Sequence, residues 1–331
     1  MIFLFALFFH NNLSYSQGLS NADRNTIRQK EDSMKSHAFK IINGINDFDR
    51  LKADSIFTRM LMRALVFTNS FYYPFDSLGT ISQLYAPDSS FRIFTWQLVI
   101  NENVIRQHGA IQMRTDDGSL LRFPLIDRSD ITQNIADTIA NNKGWIGAVY
   151  YKIIQKKNLN KNYYTLLGYD ENNMRSNKKI IEVLSFENGL PVFGGRYFSF
   201  ETDKLFKTSV CRYIMEFKKE AGPKLNYDPD LDMIIAEHLI SESNEPTKKW
   251  TYIGDGDYEG FKWVNGKWVH VEKVYNTITP LNHEPVPNPI RDNEGNLLQN
   301  KLKGGEEDDK PITEPNTKPV KVKPVKKKGK D

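Results

Sequence analysis

Between residues 20 and 69 the apolar side chains recur at intervals of three and four positions, which is the spacing of one helix face. Two such runs are separated by Gly44 and Asn46. Asp47 or Asp49, at the start of the second run, can accept the free backbone N–H groups of a helix start. We therefore predict a helical hairpin that packs an apolar stripe against another part of the protein.

From about residue 90 the apolar period changes to two, which is typical of β-strands. The segment FRIFTWQLVI alternates in this way, and WIGAVYYKII, NYYTLLGYD, KKIIEVLSF and SVCRYIMEF continue the pattern. Apolar runs flank each of three turn pairs, Asp117-Gly118, Asn188-Gly189 and Asn265-Gly266. Because tight turns join antiparallel neighbours, we predict about ten strands in an antiparallel meander that forms a sandwich or barrel.

The composition changes after residue 276, where proline and lysine replace large apolar side chains. Eight of the 15 prolines lie between Pro280 and Pro324. Such a segment cannot bury enough apolar surface to offset the entropy of ordering, so we predict a disordered tail. We favour a solubilising role for this tail, and the alternative is that its lysines contact an anionic envelope surface or nucleic acid.

The chain begins with an uninterrupted apolar run from Met1 to Phe9, although no Lys or Arg precedes it. Ser14 and Ser16 stand where a signal peptidase requires small side chains, so we predict cleavage after Ser16. The alternative is a membrane anchor. About nine apolar residues are too few to cross a bilayer, which takes about 20, so we favour the signal peptide.

These patterns predict an α+β protein with four segments. They are a signal peptide at 1–16, a helical N-terminal region at 17–75, a predominantly antiparallel β domain at 76–275 and the disordered tail at 276–331. We expect an extracytoplasmic location, periplasmic or secreted, and no transmembrane segment in the mature chain.

Composition narrows the classes of function. The chain has 45 Lys and Arg against 41 Asp and Glu, and a net charge of +4 is too small to predict a nucleic-acid partner. Cys211 is the only cysteine, so no intramolecular disulfide can form, and its alternating surroundings predict burial. Motifs for phosphate loops, dinucleotides, zinc proteases and nucleophile elbows are missing, so we assign no catalytic residue and expect no cofactor.

The segment GDGDYEG places Asp255, Asp257 and Glu259 at alternate positions. Carboxylates spaced in this way can surround Ca²⁺ when the chain turns sharply, which makes the three residues candidate metal ligands. The spacing differs from that of an EF-hand loop, and Asp and Gly are also ordinary turn residues. We therefore favour a turn between strands over a metal site.

Trp263 and Trp268 are placed symmetrically about the Asn265-Gly266 turn. A two-residue hairpin puts them opposite each other in a non-hydrogen-bonded pair, where side chains approach most closely. WVNGKW resembles the turn of designed tryptophan-zipper peptides, which implies a stabilising pair of rings.

The longer stretch GFKWVNGKWVHV also resembles one unit of the choline-binding wall repeats, which implies an aromatic cage for a cation. Those repeats occur in tandem, and the sequence contains one unit, so the cage would lack its other half. We favour a structural hairpin and retain Trp263 and Trp268 as candidate ligand-binding residues, for a cation or for a sugar ring.

Four stretches, LLGYDENN, NKKIIEVLSF, LNYDPDLDMIIAEHL and DGDYEGFKWVNGKWV, resemble a set of exported proteins from Bacteroidetes-type bacteria. The resemblance covers most of the mature chain. It implies an exported envelope protein, and the family supplies no activity or site residues.

From these observations we expect a non-enzymatic, envelope-associated binding or accessory protein, whose partner is an envelope component or a glycan. One alternative is an extracytoplasmic hydrolase whose carboxylates or histidines converge only in three dimensions. The other is a carbohydrate-binding module that uses exposed Trp and Tyr rings.

Overall fold

The computed structural model describes residues 18–101, 103–200 and 209–275. The predicted signal peptide and the predicted tail lie outside the described residues. Within the described part, the chain forms two α-helices and 16 β-strands, so the predicted order of a helical region followed by antiparallel sheets is confirmed.

The helical hairpin consists of α1 (Asn21–Asn43) and α2 (Asp47–Leu65). Ser20 caps α1, since its side chain accepts a hydrogen bond from the backbone N–H of Asp23. The corresponding cap of α2 is Asn46, whose side chain accepts from the Asp49 N–H. Asp47, one of the two predicted acceptors, accepts from the N–H of Phe48.

Both helices bury their apolar stripes against the first sheet. Ile27 and Met34 of α1 and Phe57 of α2 are inaccessible to solvent and belong to one core cluster with Trp96. The Phe57 and Trp96 rings meet edge to face, with centroids 5.2 Å apart. The helices therefore form an outer layer that is held by apolar burial.

The strands in chain order are β1 (Ser82–Tyr85), β2 (Phe91–Asn101), β3 (Val104–Met113), β4 (Leu121–Ile126), β5 (Ala140–Asn141), β6 (Val149–Asn158), β7 (Lys161–Asp170), β8 (Ser176–Glu187), β9 (Leu190–Phe193), β10 (Phe198–Ser199), β11 (Ser209–Val210), β12 (Arg212–Lys218), β13 (Leu225–Asp228), β14 (Met233–Ser241), β15 (Tyr252–Val264) and β16 (Lys267–Val271). This count exceeds the predicted ten because several strands are only two residues long and leave no alternating pattern.

These strands form three sheets in the described part of the chain. The first has the order β1-β2-β3-β4, and the second has the order β5-β9-β8-β7-β6 with β12 also paired to β8. The third has the order β11-β10-β16-β15-β14-β13. Pairing is antiparallel except between β10 and β16, which run parallel.

The second sheet is buried on both faces. Leu166 and Ile180 point into a core shared with the first sheet, and Leu167 and Ile181 point into a core shared with the third. Successive side chains of a strand face opposite sides, so the paired apolar residues of β7 and β8 serve two cores at once. The layers are therefore the helices, the first sheet, the second sheet and the third sheet.

Two of the predicted turns have the expected geometry. Asn188 and Gly189 have φ angles of 50° and 77°, and Asn265 and Gly266 have φ angles of 48° and 83°. Positive φ at both central positions is the signature of a type I′ turn, which Asn-Gly favours. These turns join β8 to β9 and β15 to β16.

The other hairpins depart from the sequence pattern. Asp117-Gly118 lies within a longer loop between β3 and β4. A tight turn that the pattern missed joins β6 to β7 at Leu159 and Asn160, with φ angles of 46° and 61°. Leucine is rare at positive φ, so composition gave no signal for this turn.

Candidate ligand-binding site

A cavity of about 350 Å³ lies between β12 of the second sheet and strands β14, β15 and β16 of the third. Tyr213 and Glu216 contribute to one wall, and His238, Glu259 and His270 contribute to the opposite wall. The cavity is therefore a gap between two layers, and it collects titratable side chains from strands that are distant in sequence.

Glu259 is the centre of a hydrogen-bonded cluster in this cavity. Its Oε2 atom lies 2.8 Å from Nε2 of His270, and its Oε1 atom accepts a hydrogen bond from the hydroxyl of Tyr213. In the β15–β16 hairpin, Phe261 lies opposite His270. Because Glu259 shares a strand face with Phe261, the hairpin register brings Glu259 diagonally next to His270.

Tyr213 crosses the cavity from β12 to reach Glu259. Burial raises the pKa of the Tyr213 hydroxyl well above its usual value, and the charge of Glu259 raises it further. The hydroxyl therefore remains protonated and continues to donate its hydrogen bond to the carboxylate.

His270 is buried, with 8% of its surface exposed, and its ring packs against the rings of Phe200 and Phe261. An ionised carboxylate only accepts hydrogen bonds, so Nε2 of His270 carries the proton that is shared with Glu259. The second ring nitrogen, Nδ1, is buried and has no hydrogen-bond partner within the described part of the chain. A buried polar atom without a partner is costly, which marks this part of the cavity as a position for a ligand or water.

His238 and Asp255 form a second pair nearer the solvent, with Nδ1 and Oδ2 2.7 Å apart. Gly256, at a φ of 89°, lies in an irregular stretch of the β14–β15 ladder where the register shifts next to His238. Burial acts to raise the pKa of Asp255, but hydrogen bonds from His238 and from the Asp257 N–H outweigh burial and lower it.

The cavity is acidic and aromatic. Glu259 and Glu272 line it, and Lys249 is the one lysine or arginine among the described lining residues. Glu216 also lines the cavity, but its Oε1 atom accepts hydrogen bonds from Ser176 and Asn172. The Lys249 Nζ atom lies 4.3 Å from the centroid of the Tyr252 ring. Carboxylates and ring faces both attract positive charge, so the lining suits a cationic group.

The predicted metal ligands do not converge. Asp255 pairs with His238, Glu259 faces the cavity, and Asp257 is exposed, 3.6 Å from Nζ of Lys273. Across residues 18–101, 103–200 and 209–275, no group of three or more His, Cys, Asp or Glu side chains is arranged to hold a metal ion. Glu259 is the one of the three that lines the cavity.

The predicted tryptophan pair forms. Trp263 lies opposite Trp268, with ring centroids 5.3 Å apart and planes at 68°. Trp268 is fully buried and donates from Nε1 to Oγ1 of Thr165 at 2.8 Å, whereas Trp263 is partly exposed beside Tyr163. Neither tryptophan lines the cavity, and ligand binding at Trp263 stays a prediction.

A scan against family models, a search of curated proteins and a search of solved structures each found no match for this chain. The functional argument therefore depends on the cavity itself. Within the described residues, no helix combines the length and apolar character that a bilayer span requires.

A second cavity, of about 780 Å³, is larger and more open to solvent, and fewer titratable side chains line it. Its Arg50 side chain donates to the backbone carbonyls of Gly44, Val99 and Ile100. Its other charges include an ion pair of Lys219 with Glu171, 3.2 Å apart. Among its described lining residues there is no His or Tyr and no buried polar atom without a partner, so we take the cavity at Glu259 as the functional site.

Proposed function

We propose that this protein is an extracytoplasmic binding protein whose cavity takes a ligand with a positively charged group. The observation that carries the proposal is the Glu259 carboxylate, which Tyr213 and His270 hold in place inside an acidic, aromatic cavity. A charge removed from water needs a partner, and a fixed carboxylate supplies one for a ligand cation.

The lining favours binding over covalent catalysis. Among the described residues that line the cavity, none is a Ser, Thr or Cys, the usual nucleophiles of acyl-transfer enzymes. The extracytoplasmic location rests on the apolar run at the start of the sequence. The proposal therefore keeps the expectation of a non-enzymatic binding protein and specifies that its ligand carries a positive charge.

Isothermal titration of the purified protein with L-lysine amide, putrescine and choline tests this function. We expect saturable binding of at least one of these cations, weakened about tenfold or more by Glu259→Gln, which removes the charge and keeps the shape. Asp257→Asn is the matched control, because Asp257 is an exposed carboxylate on the same strand outside the cavity lining. Absence of binding, or equal affinity in both variants, contradicts the proposal.

One observation favours a hydrolase as the second candidate. Glu259 orients His270 and leaves Nδ1 as a proton acceptor, which is the arrangement of a general base. A hydrolase of this type would turn over chromogenic esters, phosphates or glycosides and would lose that activity in His270→Asn. Saturable cation binding without turnover of any of these substrates supports the binding protein instead.

A further inference from the structure

The cavity runs along the outer edge of β12. Its lining includes four consecutive residues of that strand, 213 to 216. Successive side chains of a strand point to opposite faces, so one cavity can touch all four only by following the strand's edge. Backbone groups of β12, as well as side chains, therefore border the ligand space.

The pairing of β8 shows which edge of β12 is occupied. β8 pairs with β7 on one edge and with β9 and β12 on the other. The carbonyl of Val183 in β8 accepts from the N–H of Gly194, which follows β9, at 2.8 Å. Val183 therefore directs its backbone groups towards the edge shared with β12, and alternation gives Ile181 and Lys179 the same direction.

Ile181 and Lys179 lie opposite Tyr213 and Met215 of β12. The N–H and C=O groups of Tyr213 and Met215 are therefore used in the ladder with β8. The residues that alternate with them, Ile214 and Glu216, direct their N–H and C=O groups away from β8 and towards the cavity.

These outward backbone groups pair with no other strand in the described residues. In the part of the chain that the structure describes, no hydrogen bond reaches the backbone N–H or C=O of Ile214 or Glu216 on this edge. Open strand edges are templates for another strand, and proteins usually cover or interrupt them. The 3-10 helix Lys249–Thr251 and β15 both pack near β12, and the cavity lies beside the strand.

We propose, on the basis of the binding function above, that the ligand is an extended peptide that adds to β12 as a strand and carries a cationic side chain to Glu259. Main-chain hydrogen bonds to Ile214 and Glu216 would give affinity, and the pocket at Glu259 would give specificity. Ile214 and Glu216 lie about 7 Å apart along the strand, so about three peptide residues span the edge.

A strand added to the edge of β12 can also reach the Glu259 carboxylate. The Tyr213 side chain points to Glu259, so Glu259 lies beyond the face of β12 that Tyr213 occupies. Alternate side chains of an added strand point to that same face. A lysine at the middle position of a three-residue segment can therefore place its ammonium group at the Glu259 carboxylate while its neighbours point away.

Titration with the peptide acetyl-Ala-Lys-Ala-amide, compared with L-lysine amide, tests this proposal. We expect the peptide to bind about tenfold tighter or more, because it adds main-chain hydrogen bonds to the charge interaction. We expect the same peptide with N-methyl groups on its three residue nitrogens to lose that gain, since it keeps the charge and lacks the backbone donors.

Ile214→Pro removes one outward N–H and leaves the bonds to β8, because proline is tolerated at an edge position whose N–H faces outward. We expect it to weaken peptide binding about tenfold and so to narrow the difference in affinity between the peptide and lysine amide. Lys218→Pro is the matched control, since Lys218 has the same outward direction and lies outside the cavity lining. If Ile214→Pro fails to fold, as judged by circular dichroism, the N-methyl comparison decides.

The outcomes separate the two proposals. Equal affinity for the peptide, its N-methyl form and lysine amide overturns strand addition and leaves the cationic-ligand function standing. Peptide binding that is sensitive to N-methylation but unaffected by Glu259→Gln supports strand addition and overturns the role of the charge. Absence of binding by all three compounds overturns strand addition, and absence of binding by putrescine and choline as well overturns the cationic-ligand function.

Discussion

The Glu259 carboxylate and the His270 imidazole form one hydrogen-bonded pair in the cavity wall, with Oε2 and Nε2 2.8 Å apart. The two residues belong to neighbouring strands of one hairpin, so the pair depends on the hairpin register. Tyr213 joins the pair from another sheet. The cluster therefore couples the position of β12 to that of β15 and β16.

Tyr213→Phe removes the hydroxyl that donates to Glu259 and keeps the ring. We expect the free energy of unfolding to fall by about 1–2 kcal/mol, because the carboxylate loses a buried hydrogen bond. Urea unfolding followed by tryptophan fluorescence measures the change. Tyr258→Phe is the control, because it removes a hydroxyl from the β15 residue that precedes Glu259. Equal small effects in both variants would show that the hydroxyl of Tyr213 contributes nothing to the cluster.

Asp255 is expected to contribute to stability in acid. Folding lowers the pKa of Asp255, so the folded state binds this proton less tightly than the unfolded chain does. Its stabilising contribution is therefore present above the ordinary Asp pKa of about 3.9 and is lost as the pH falls through the lower folded-state value. We expect Asp255→Asn to reduce the drop in melting temperature between about pH 6 and about pH 3.

Differential scanning calorimetry at both pH values measures this drop. Asp257→Asn changes an exposed carboxylate on the same strand and serves as the control. We expect the Asp257→Asn variant to show the same drop in melting temperature as wild type. A drop that is identical in wild type and Asp255→Asn would show that Asp255 does not contribute to the acid limb.

Arg212 and Glu182 form an ion pair inaccessible to solvent, with Nε and Oε2 2.6 Å apart. The hydroxyl of Tyr150 donates to the other oxygen of Glu182, and Arg212 also donates to the carbonyl of Phe193 at 3.1 Å. Glu182→Gln leaves a buried guanidinium without its counter-charge. We expect a loss of about 3 kcal/mol or more in the free energy of unfolding, measured in urea.

Glu187→Gln is the matched control at the exposed end of the same strand, where Glu187 pairs with Lys161 at 3.3 Å. Exposed pairs contribute about 0–1 kcal/mol, so its unfolding curve should nearly overlay that of wild type. Similar curves for both variants would contradict a structural role for the buried pair.

The two tryptophans should differ sharply in their contributions. We expect Trp268→Ala to cost about 3–5 kcal/mol, because a fully buried ring leaves a cavity in the core. Trp263→Ala should cost about 1 kcal/mol, mainly the ring pairing. Urea unfolding and circular dichroism check both values, and the reverse order of the two losses would contradict the burial argument.

Trp263→Ala also tests the predicted sugar platform, in which a sugar ring stacks on the exposed face of Trp263. The variant is suitable because it should leave the fold intact. A platform at Trp263 predicts that the variant loses retention on insoluble peptidoglycan or polysaccharide. Thr251→Ala, in a short 3-10 helix at the other end of β15 from Trp263, controls for handling of the protein. Equal retention of wild type and Trp263→Ala would contradict the platform.

Export can be measured directly. Expression of the full chain in a Gram-negative host, followed by fractionation and mass spectrometry of the N-terminal peptide, should give a mature protein that begins at Gln17. Replacement of Phe5 by Arg in the apolar run should retain the precursor in the cytoplasm. A protein that stays cytoplasmic with its first residues intact would contradict the extracytoplasmic location.

The sequence by itself determined the features that depend on neighbours along the chain. Apolar spacing predicted α1 and α2, alternation predicted the main strands, and the Asn-Gly pairs predicted two tight turns. The Asn265-Gly266 turn sets the register of β15 and β16, which places Trp263 opposite Trp268. Cys211 is buried, as the alternation around it predicted. The same register also places His270 diagonally next to Glu259, a signal that was present in the sequence.

Only the tertiary structure decided what depends on distant strands. The double burial of the second sheet, the parallel pairing of β10 with β16 and the meeting of Tyr213 with Glu259 join segments far apart in sequence. The pairing of Arg212 with Glu182 joins two strands in the same way. Hydrophobic spacing fixes which face of an element is buried, but apolar burial is non-directional and does not specify which other layer buries it. The cavity lies between such layers, which is why its chemistry emerged only from the folded chain.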